Sequence, residues 1–145
     1  MTSMVVTMLR SGDLAEMAGP LTAAKLPIAD LSEPGRTFFR FDDAEGLIGY
    51  GGLEGEGADR LLRSVVVVTN RRGRGIGGAI IAALEQQARE FGVGHLHLLT
   101  TTAASFFRSL GFADASRESA PATIAASHEF TALCPASAAY LVKAL

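Results

Sequence analysis

Apolar residues recur along the chain with two spacings, one typical of strands and one typical of helices. A strand is predicted where apolar and polar residues alternate, or where turn residues bound a short apolar run. The predicted strands cover residues 4–9, 37–41, 47–54, 61–68, 95–100 and 138–142, with a further extended piece from Phe112. The clearest helix is predicted over residues 76–91, because Ile76, Ile80 and Leu84 share one face and Gly92 ends the pattern.

Weaker helical patterns fill much of the remaining chain. They cover residues 13–18, 21–31, 103–110 and 121–130. Pro20 and Pro27 interrupt this pattern, since proline removes a helical hydrogen bond and clashes with the preceding turn. We therefore expect only short helices before the first hairpin.

The order of the predicted elements indicates how the sheet is connected. Strands 37–41 and 47–54 are separated by a short turn, so they predict a β-hairpin. The strand, helix and strand that follow, up to residue 100, predict a parallel pair joined by a crossover helix. The predicted fold class is therefore α/β with mixed α+β character: a mixed sheet flanked by helices on both faces.

Length and composition favour one globular domain over residues 1–145. The chain is 48% hydrophobic and 19% charged, and its formal net charge of −2 leaves no basic excess for nucleic-acid binding. Cys134 is the one cysteine, so no intrachain disulfide can form and a reducing compartment is favoured. No apolar run is long enough for a signal peptide or a membrane span, and we expect a cytoplasmic protein without a membrane partner.

The turn between strand 61–68 and helix 76–91 is rich in glycine and arginine. The first N–H groups of a helix have no partner within the helix and can bind an anion, and glycine lets the ligand approach the backbone closely. Arg71, Arg72 and Arg74 are expected to add positive charge at the same place. The turn therefore predicts a site for the phosphates of a small anionic ligand.

Two common phosphate motifs fit this turn poorly. The loop of nucleotide hydrolases ends in Gly-Lys-Ser/Thr, and this turn contains no lysine. Gly73, Gly75 and Gly78 do satisfy the dinucleotide pattern G-x-G-x-x-G, but no acidic residue lies near Leu98, about 20 positions further on. A third motif fits better.

Arg72, Gly75 and Gly77 fill the pattern Q/R-x-x-G-x-G/A, and residues 103–112, AASFFRSLGF, resemble the pattern A-x-x-F-Y-x-x-x-G-F. Together, in this order, they resemble the GCN5-related N-acetyltransferases (GNAT). Three pieces, GLEGEGADRLLRSVVV, HLHLLTTTAASFF and EFTALCPASA, are similar to the arsenic-resistance-associated branch of that superfamily. The resemblance implies a mostly antiparallel sheet in which the parallel strand pair is splayed.

The resemblance also implies acetyl-CoA as cosubstrate, no metal, and direct transfer of the acetyl group to an amine. We expect a small-molecule acceptor, linked to arsenical or antimetabolite resistance, and relatives of this kind frequently dimerise, which leaves a homodimer open. A non-catalytic acyl-CoA-binding or sensing module is the alternative. The cofactor-binding residues carried over are Val66, Val67, Val68, Arg72, Gly73, Arg74, Gly75, Ile76, Gly77, Thr101, Ser105 and Phe107.

Glu54, Arg63 and Ser64 are the candidate catalytic residues on the acceptor side. A lysine-like amine with a pKa of about 10.4 needs about 4–5 kcal/mol to lose its proton at pH 7, so a base such as Glu54 is useful. Arg63 can bind an acidic group of the acceptor, or else form an ion pair on an exposed face. Because neighbouring strand residues face opposite sides, we expect only one of Arg63 and Ser64 to line the site.

Phe107 departs from the family pattern, in which a tyrosine is proposed to protonate the leaving thiolate. With a thiol pKa near 8.5, departure as thiolate costs only about 2 kcal/mol at pH 7, so water or a hydroxyl of Thr101, Thr102 or Ser105 can suffice. Thr101 and Thr102 can instead cap the next helix. His95 and His97 are too few ligands for a zinc site, and Cys134 is interpreted as a structural thiol.

Overall fold

A computed structural model describes residues 4–72, 75–127, 129–133 and 137–145. Three residues considered above lie outside the described residues: Gly73 and Arg74 of the predicted phosphate turn, and Cys134.

The described residues form a seven-stranded mixed sheet. Its strands are β1 (Val5–Met8), β2 (Arg36–Asp43), β3 (Gly46–Glu54), β4 (Asp59–Val67), β5 (His95–Thr100), β6 (Ala113–Asp114) and β7 (Ala139–Ala144). Their order is β1-β2-β3-β4-β5-β7-β6. Only the β4–β5 pair among them is parallel, which confirms the predicted mixed fold and its crossover.

Helices flank this sheet on both faces. They are α1 (Ala18–Ala23), α2 (Ile76–Glu90), α3 (Ala104–Ser109) and α4 (Ala122–Ala125), with 3₁₀ turns at Ser11–Met17, Thr69–Arg71 and Arg117–Ser119 and a π turn at Glu129–Leu133. The neighbours Phe38 and Phe39 are both buried but belong to different clusters: Phe39 packs with Leu84 of α2, and Phe38 packs with Leu21 of α1. Both faces of β2 are therefore covered.

The parallel pair separates after a short ladder. β4 pairs with β5 only from Asp59↔His95 to Leu61↔His97, whereas β4 continues to Val67 and β5 to Thr100. The backbone groups of β4 beyond Leu61 that face β5 are therefore not paired with that strand. This is the splayed pair that the family resemblance implies.

A bulge in β4 overturns the expectation that Arg63 and Ser64 face opposite sides. Arg63 pairs with Gly52 and Val66 with Tyr50, so Ser64 and Val65 together oppose one residue of β3. Ser64 has a φ of 57°, and its Oγ lies 3.3 Å from Arg63 Nε. A bulge breaks the two-residue alternation of a strand, and here it brings both side chains together.

The segments predicted as weak helices are shorter than expected. α1 ends at Ala23, before Pro27, and the chain over 24–35 forms turns. The predicted helix over 121–130 divides into α4 and the π turn, with Ser127 Oγ accepting the Phe130 N–H at 3.3 Å between them. Both departures place irregular backbone beside the open end of the β4–β5 pair.

Candidate active site

The N-terminus of α2 opens into a cavity of about 450 Å³. Gly75 precedes the helix with a φ of 71°, a conformation that glycine adopts without strain, and no described side chain caps the helix here. The backbone of Gly75, Ile76, Gly77 and Gly78 lines the cavity. These first-turn N–H groups have the placement that an anion site requires.

Gly77 keeps this cavity open. A Cβ at position 77 would lie 3.1 Å from the Phe106 ring and 3.8 Å from a Val67 methyl group. Any larger side chain would fill the space between α2 and α3. The residues present therefore fit a ligand that approaches the backbone closely, such as the diphosphate of a CoA thioester.

Arg71 also lines this cavity, as the sequence predicts, but its charge is already paired with carboxylates. Its side chain is 6% exposed, and its guanidinium binds Asp43, the last residue of β2, and Glu45 of the turn that follows. Arg72, by contrast, is exposed, lines the cavity, and donates from Nε to the Val67 carbonyl oxygen at 3.1 Å. Of these two arginines, Arg72 is the more accessible cation for a ligand there.

The end of β4 forms the opposite wall. Val65, Val66 and Val67 line the cavity, and Val68 lines a smaller adjoining one of about 260 Å³. The Val68 N–H donates to the Ile48 carbonyl of β3 at 2.9 Å. Because neighbouring residues of an antiparallel strand direct their backbone groups to opposite sides, the peptide groups of Val67 point towards the splay.

Two phenylalanines close the cavity from α3. Phe107 is 8% exposed, lies edge-on to Phe112 at 5.5 Å, and lines the cavity together with Phe106. Phe106 is 38% exposed and was not singled out from the sequence, although it belongs to the same motif. Phe107 thus lies at the cavity wall without a hydroxyl group.

The hydroxyl residues considered as proton donors for the leaving sulfur do not line this cavity. Ser105 is exposed and is not among the residues that line this cavity, whereas Thr101 and Thr102 line a second one. Neither threonine caps α3, which has no side-chain cap; Thr100 Oγ1 accepts the Ala103 N–H at 2.9 Å in the turn before the helix.

The second cavity, of about 630 Å³, lies at the open end of β5. Its walls are the segment after α1, residues 99–102, and Glu129 of the π turn. Ala24 lines both this cavity and the first one, so the two adjoin. Sequence reasoning missed Glu129, because nothing in its local pattern distinguishes it from a solvated carboxylate.

A buried ion cluster lies beside these cavities, on the bulged part of β4. Arg63 Nη1 donates to Asp30 Oδ2 at 2.6 Å and to Glu54 Oε1 at 2.8 Å, and its Nη2 donates to Asp30 Oδ1 at 2.7 Å. Arg63 Nε lies 3.6 Å from Glu129 Oε2, and Arg36 Nη2 lies 2.9 Å from Asp30 Oδ2. The Arg63 side chain is 0% exposed. The ion pair expected as one alternative for Arg63 exists, but it is buried and not on an exposed face.

The cluster shifts the pKa of Asp30 and that of Arg63. Burial alone would raise the pKa of the Asp30 carboxyl, but hydrogen bonds from Arg63 and Arg36 outweigh it and lower the pKa to about 2. Burial would lower the pKa of the Arg63 guanidinium, but Asp30, Glu129 and Glu54 raise it. Glu54 is 7% exposed and held by Arg63, so it lies behind the cavities and not within their walls.

His97 has both ring nitrogens engaged. Nδ1 lies 2.7 Å from the Tyr140 hydroxyl and Nε2 lies 2.7 Å from Asp59 Oδ1. Across the described residues, no group of three or more His, Cys, Asp or Glu side chains could hold a metal ion. None of the helices in this part of the chain has the length and apolar character needed to cross a membrane.

A family model described as an acetyltransferase (GNAT) domain matches residues 34–114. That match covers more than half of the chain, which therefore belongs to the GNAT acetyltransferase family. A search of curated proteins finds no match.

Solved structures share the fold at low sequence identity. An N-acetylglutamate synthase from Neisseria gonorrhoeae, complexed with coenzyme A and L-arginine, has a TM-score of 0.79 and 21% identity over 98% of this chain and 33% of its own. The chain thus spans about a third of the length of that enzyme. Rv2747 from Mycobacterium tuberculosis, in complex with CoA and NLQ, has a TM-score of 0.75 and 20% identity over 97% of this chain and 99% of its own. An acetyltransferase of the GNAT family from Staphylococcus aureus has a TM-score of 0.70 and 15% identity, over 99% of each chain.

Proposed function

We propose that this chain is an acetyl-CoA-dependent N-acetyltransferase that transfers the acetyl group directly to the amine of a small molecule. The observation that carries the proposal is the open, backbone-lined cavity at the start of α2, beside the splayed end of β4. Acetyl-CoA would supply an acetyl group activated as a thioester. The other steps depend on residues of the chain.

The backbone N–H groups of Gly75, Ile76 and Gly77 would hold the diphosphate, with Arg72 as a neighbouring cation. Each charge-assisted hydrogen bond contributes about 1.5–3 kcal/mol, more than the roughly 0.3–1 kcal/mol of the helix dipole. Gly73 and Arg74 keep the role that the motif gives them as a prediction. The aimed amides, more than the dipole, would therefore set the affinity.

The end of β4 would hold the thioester. Of Val66, Val67 and Val68, Val67 is the residue whose backbone groups point into the splay, because the Val68 N–H is bonded to β3. An N–H aimed at the carbonyl oxygen, where negative charge develops, contributes about 3 kcal/mol to the transition state. The apolar side chains of this strand exclude water from the same place.

The reaction balances as an ammonium ion plus acetyl-CoA giving an amide, CoA thiol and one proton. The acceptor first loses a proton, its nitrogen then bonds to the acetyl carbon, and the C–S bond breaks with the electron pair on sulfur. Glu54, Arg63 and Ser64 are all buried, which supports a positioning role towards the acceptor more than direct contact with it. Glu54 as the base stays a prediction.

Phe107 gives one reason to keep the non-catalytic CoA-binding module as a second candidate. It lies at the cavity wall and cannot donate a proton to the leaving sulfur. Departure as thiolate costs only about 2 kcal/mol at pH 7, so the missing hydroxyl slows the reaction without preventing it. The transferase therefore remains the better-supported function.

A coupled assay separates the two. Calorimetry should detect CoA binding in both cases, and thiol release from acetyl-CoA with a panel of amino acids, arylamines and polyamines should occur only for a transferase. Binding without release for every amine contradicts the proposed function. The link to arsenical or antimetabolite resistance, the cytoplasmic location and the homodimer stay predictions from the resemblance.

A further inference from the structure

The second cavity carries two opposite charges in one small space. Glu129 and Lys25 line it, together with the apolar residues Leu26, Pro27 and Ile28. Resting on the proposed function, we infer that the acceptor is a small amino carboxylate with an apolar side chain. It binds with its amine towards Glu129 and its carboxylate towards Lys25.

The position of this cavity suits an acceptor. It adjoins the CoA cavity through Ala24, and Thr100, Thr101 and Thr102 bring it to the open end of β5. A molecule bound there reaches the splay from the side opposite α2. No residue of the phosphate turn lines it, so the two substrates do not compete for groups.

Glu129 is placed to receive a cationic amine. It is 6% exposed and lines the cavity from the π turn, and Arg63 Nε lies 3.6 Å from its Oε2. A carboxylate at the wall of the cavity is the group that binds an ammonium ion through charge-assisted hydrogen bonds. Glu129 thus combines the burial and the contact with the cavity that the acceptor's amine requires.

Lys25 occupies a position that usually belongs to glycine. Its N–H donates to the Thr22 carbonyl at 3.0 Å, the Leu26 N–H donates to the Leu21 carbonyl at 2.9 Å, and Lys25 has a φ of 59°. These two bonds define a Schellman motif, in which the left-handed residue is commonly glycine because a Cβ is strained there. A lysine at such a strained position, on a cavity wall, points to a use for its ammonium group.

The remaining wall of the second cavity is apolar and favours an acceptor with an apolar side chain. Ile28 is 42% exposed although it is a large apolar residue, and it lies on the cavity beside Leu26 and Pro27. A ligand side chain of leucine type would cover it. Polyamines fit poorly, because a second ammonium group would meet the like charge of Lys25.

The test compares L-leucine with 3-methylbutylamine, which is the same molecule without its carboxylate. In the wild type, kcat/KM for acetyl-CoA-dependent thiol release should favour leucine. In Lys25→Gly the leucine-to-amine ratio should fall about tenfold, the effect of losing one charged hydrogen bond. Taking the ratio between variants cancels the different basicities of the two amines.

Lys25→Gly removes the ammonium group and also relieves the strain of the left-handed backbone. The melting temperature of this variant should therefore not fall. As a matched control, Glu129→Gln should lower kcat/KM for both acceptors and leave their ratio near the wild-type value. Calorimetric titration of leucine into CoA-saturated protein, in the wild type and Lys25→Gly, gives a readout independent of turnover.

A leucine-to-amine ratio that Lys25→Gly leaves unchanged, or leucine affinity equal in the two proteins, overturns the inference. Turnover of other amines without a preference for amino carboxylates also overturns it, while the transferase function stands. CoA binding without turnover of any amine contradicts the proposed function instead. In that case the calorimetric affinity for leucine alone tests whether the second cavity binds an amino carboxylate.

Discussion

Asp30 connects the segment after α1 to the bulged part of β4, and its removal should destabilise the protein in a pH-dependent way. The carboxylate accepts two bonds from Arg63, at 2.6 and 2.7 Å, and one from Arg36 at 2.9 Å. Asp30→Asn keeps the shape of the side chain and removes its charge. Arg63 then retains Glu54 and Glu129 as its charged partners.

The size of the effect follows from the pKa of Asp30. A fall from 3.8 to about 2 corresponds to about 2 kcal/mol of stability at neutral pH. Because the pKa is lower in the folded protein, this stabilisation is complete above the unfolded value, near pH 4, and is lost as pH falls towards 2. At pH 3 roughly half of it should remain.

Urea unfolding of the wild type and Asp30→Asn at pH 7, 4 and 3 measures this difference. The exposed pair of Arg108 and Asp114 provides the matched control, and Asp114→Asn should change stability little at any of these pH values. A stability loss in Asp30→Asn that is the same at pH 7 and pH 3, or no loss at pH 7, would refute the reasoning.

Two further substitutions test the core and the leaving group. Leu84 is fully buried and packs so closely on β3 that a Cβ at Gly51 would lie 2.5 Å from its Cδ1. Leu84→Ala should therefore lower the free energy of unfolding, measured in urea, by about 2–5 kcal/mol. A smaller loss would contradict this packing. Phe107→Tyr places a hydroxyl at the cavity wall and should raise kcat for thiol release, by about 30-fold at most, since thiolate departure costs about 2 kcal/mol. An unchanged or lower kcat would show that protonation of the leaving sulfur does not limit the rate.

The crossover helix and the hairpin before it were predictable from the sequence because both depend on neighbouring residues. The helix predicted over 76–91 is found at Ile76–Glu90, and strand 95–100 has the predicted bounds. A side chain at position 75 would enter open space, whereas a Cβ at position 77 would crowd the Phe106 ring. The conformation of a helix and of the turn before it depends mostly on the residues of that segment.

The acceptor side was less predictable because its contacts join distant parts of the chain. Asp30 and Arg63 are 33 residues apart, and Arg71 and Asp43 are 28 apart. The sequence shows that each arginine needs a partner, but not which carboxylate supplies it. Local reasoning therefore assigned the charge of Arg71 to the phosphate ligand, whereas Asp43 and Glu45 bind it.

The bulge at Ser64 shows a third limit. Strand periodicity assumes one residue per pleat, and Ser64 takes a φ of 57° although it is not glycine. No turn residue or proline announces the extra residue in the run LLRSVVVV. Arg63 and Ser64 consequently share a side that alternation assigns to only one of them.

Above all, we propose that the amides at the start of α2 bind the diphosphate of CoA, and calorimetric titration of CoA measures that interaction by itself. Gly75→Asp and Gly75→Asn both place a side chain that tolerates a left-handed φ into open space, and only the first adds negative charge. We expect micromolar-range or tighter binding by the wild type, modest weakening in Gly75→Asn, and about a hundredfold loss in Gly75→Asp. Equal CoA affinity in the Asp and Asn variants would contradict the claim.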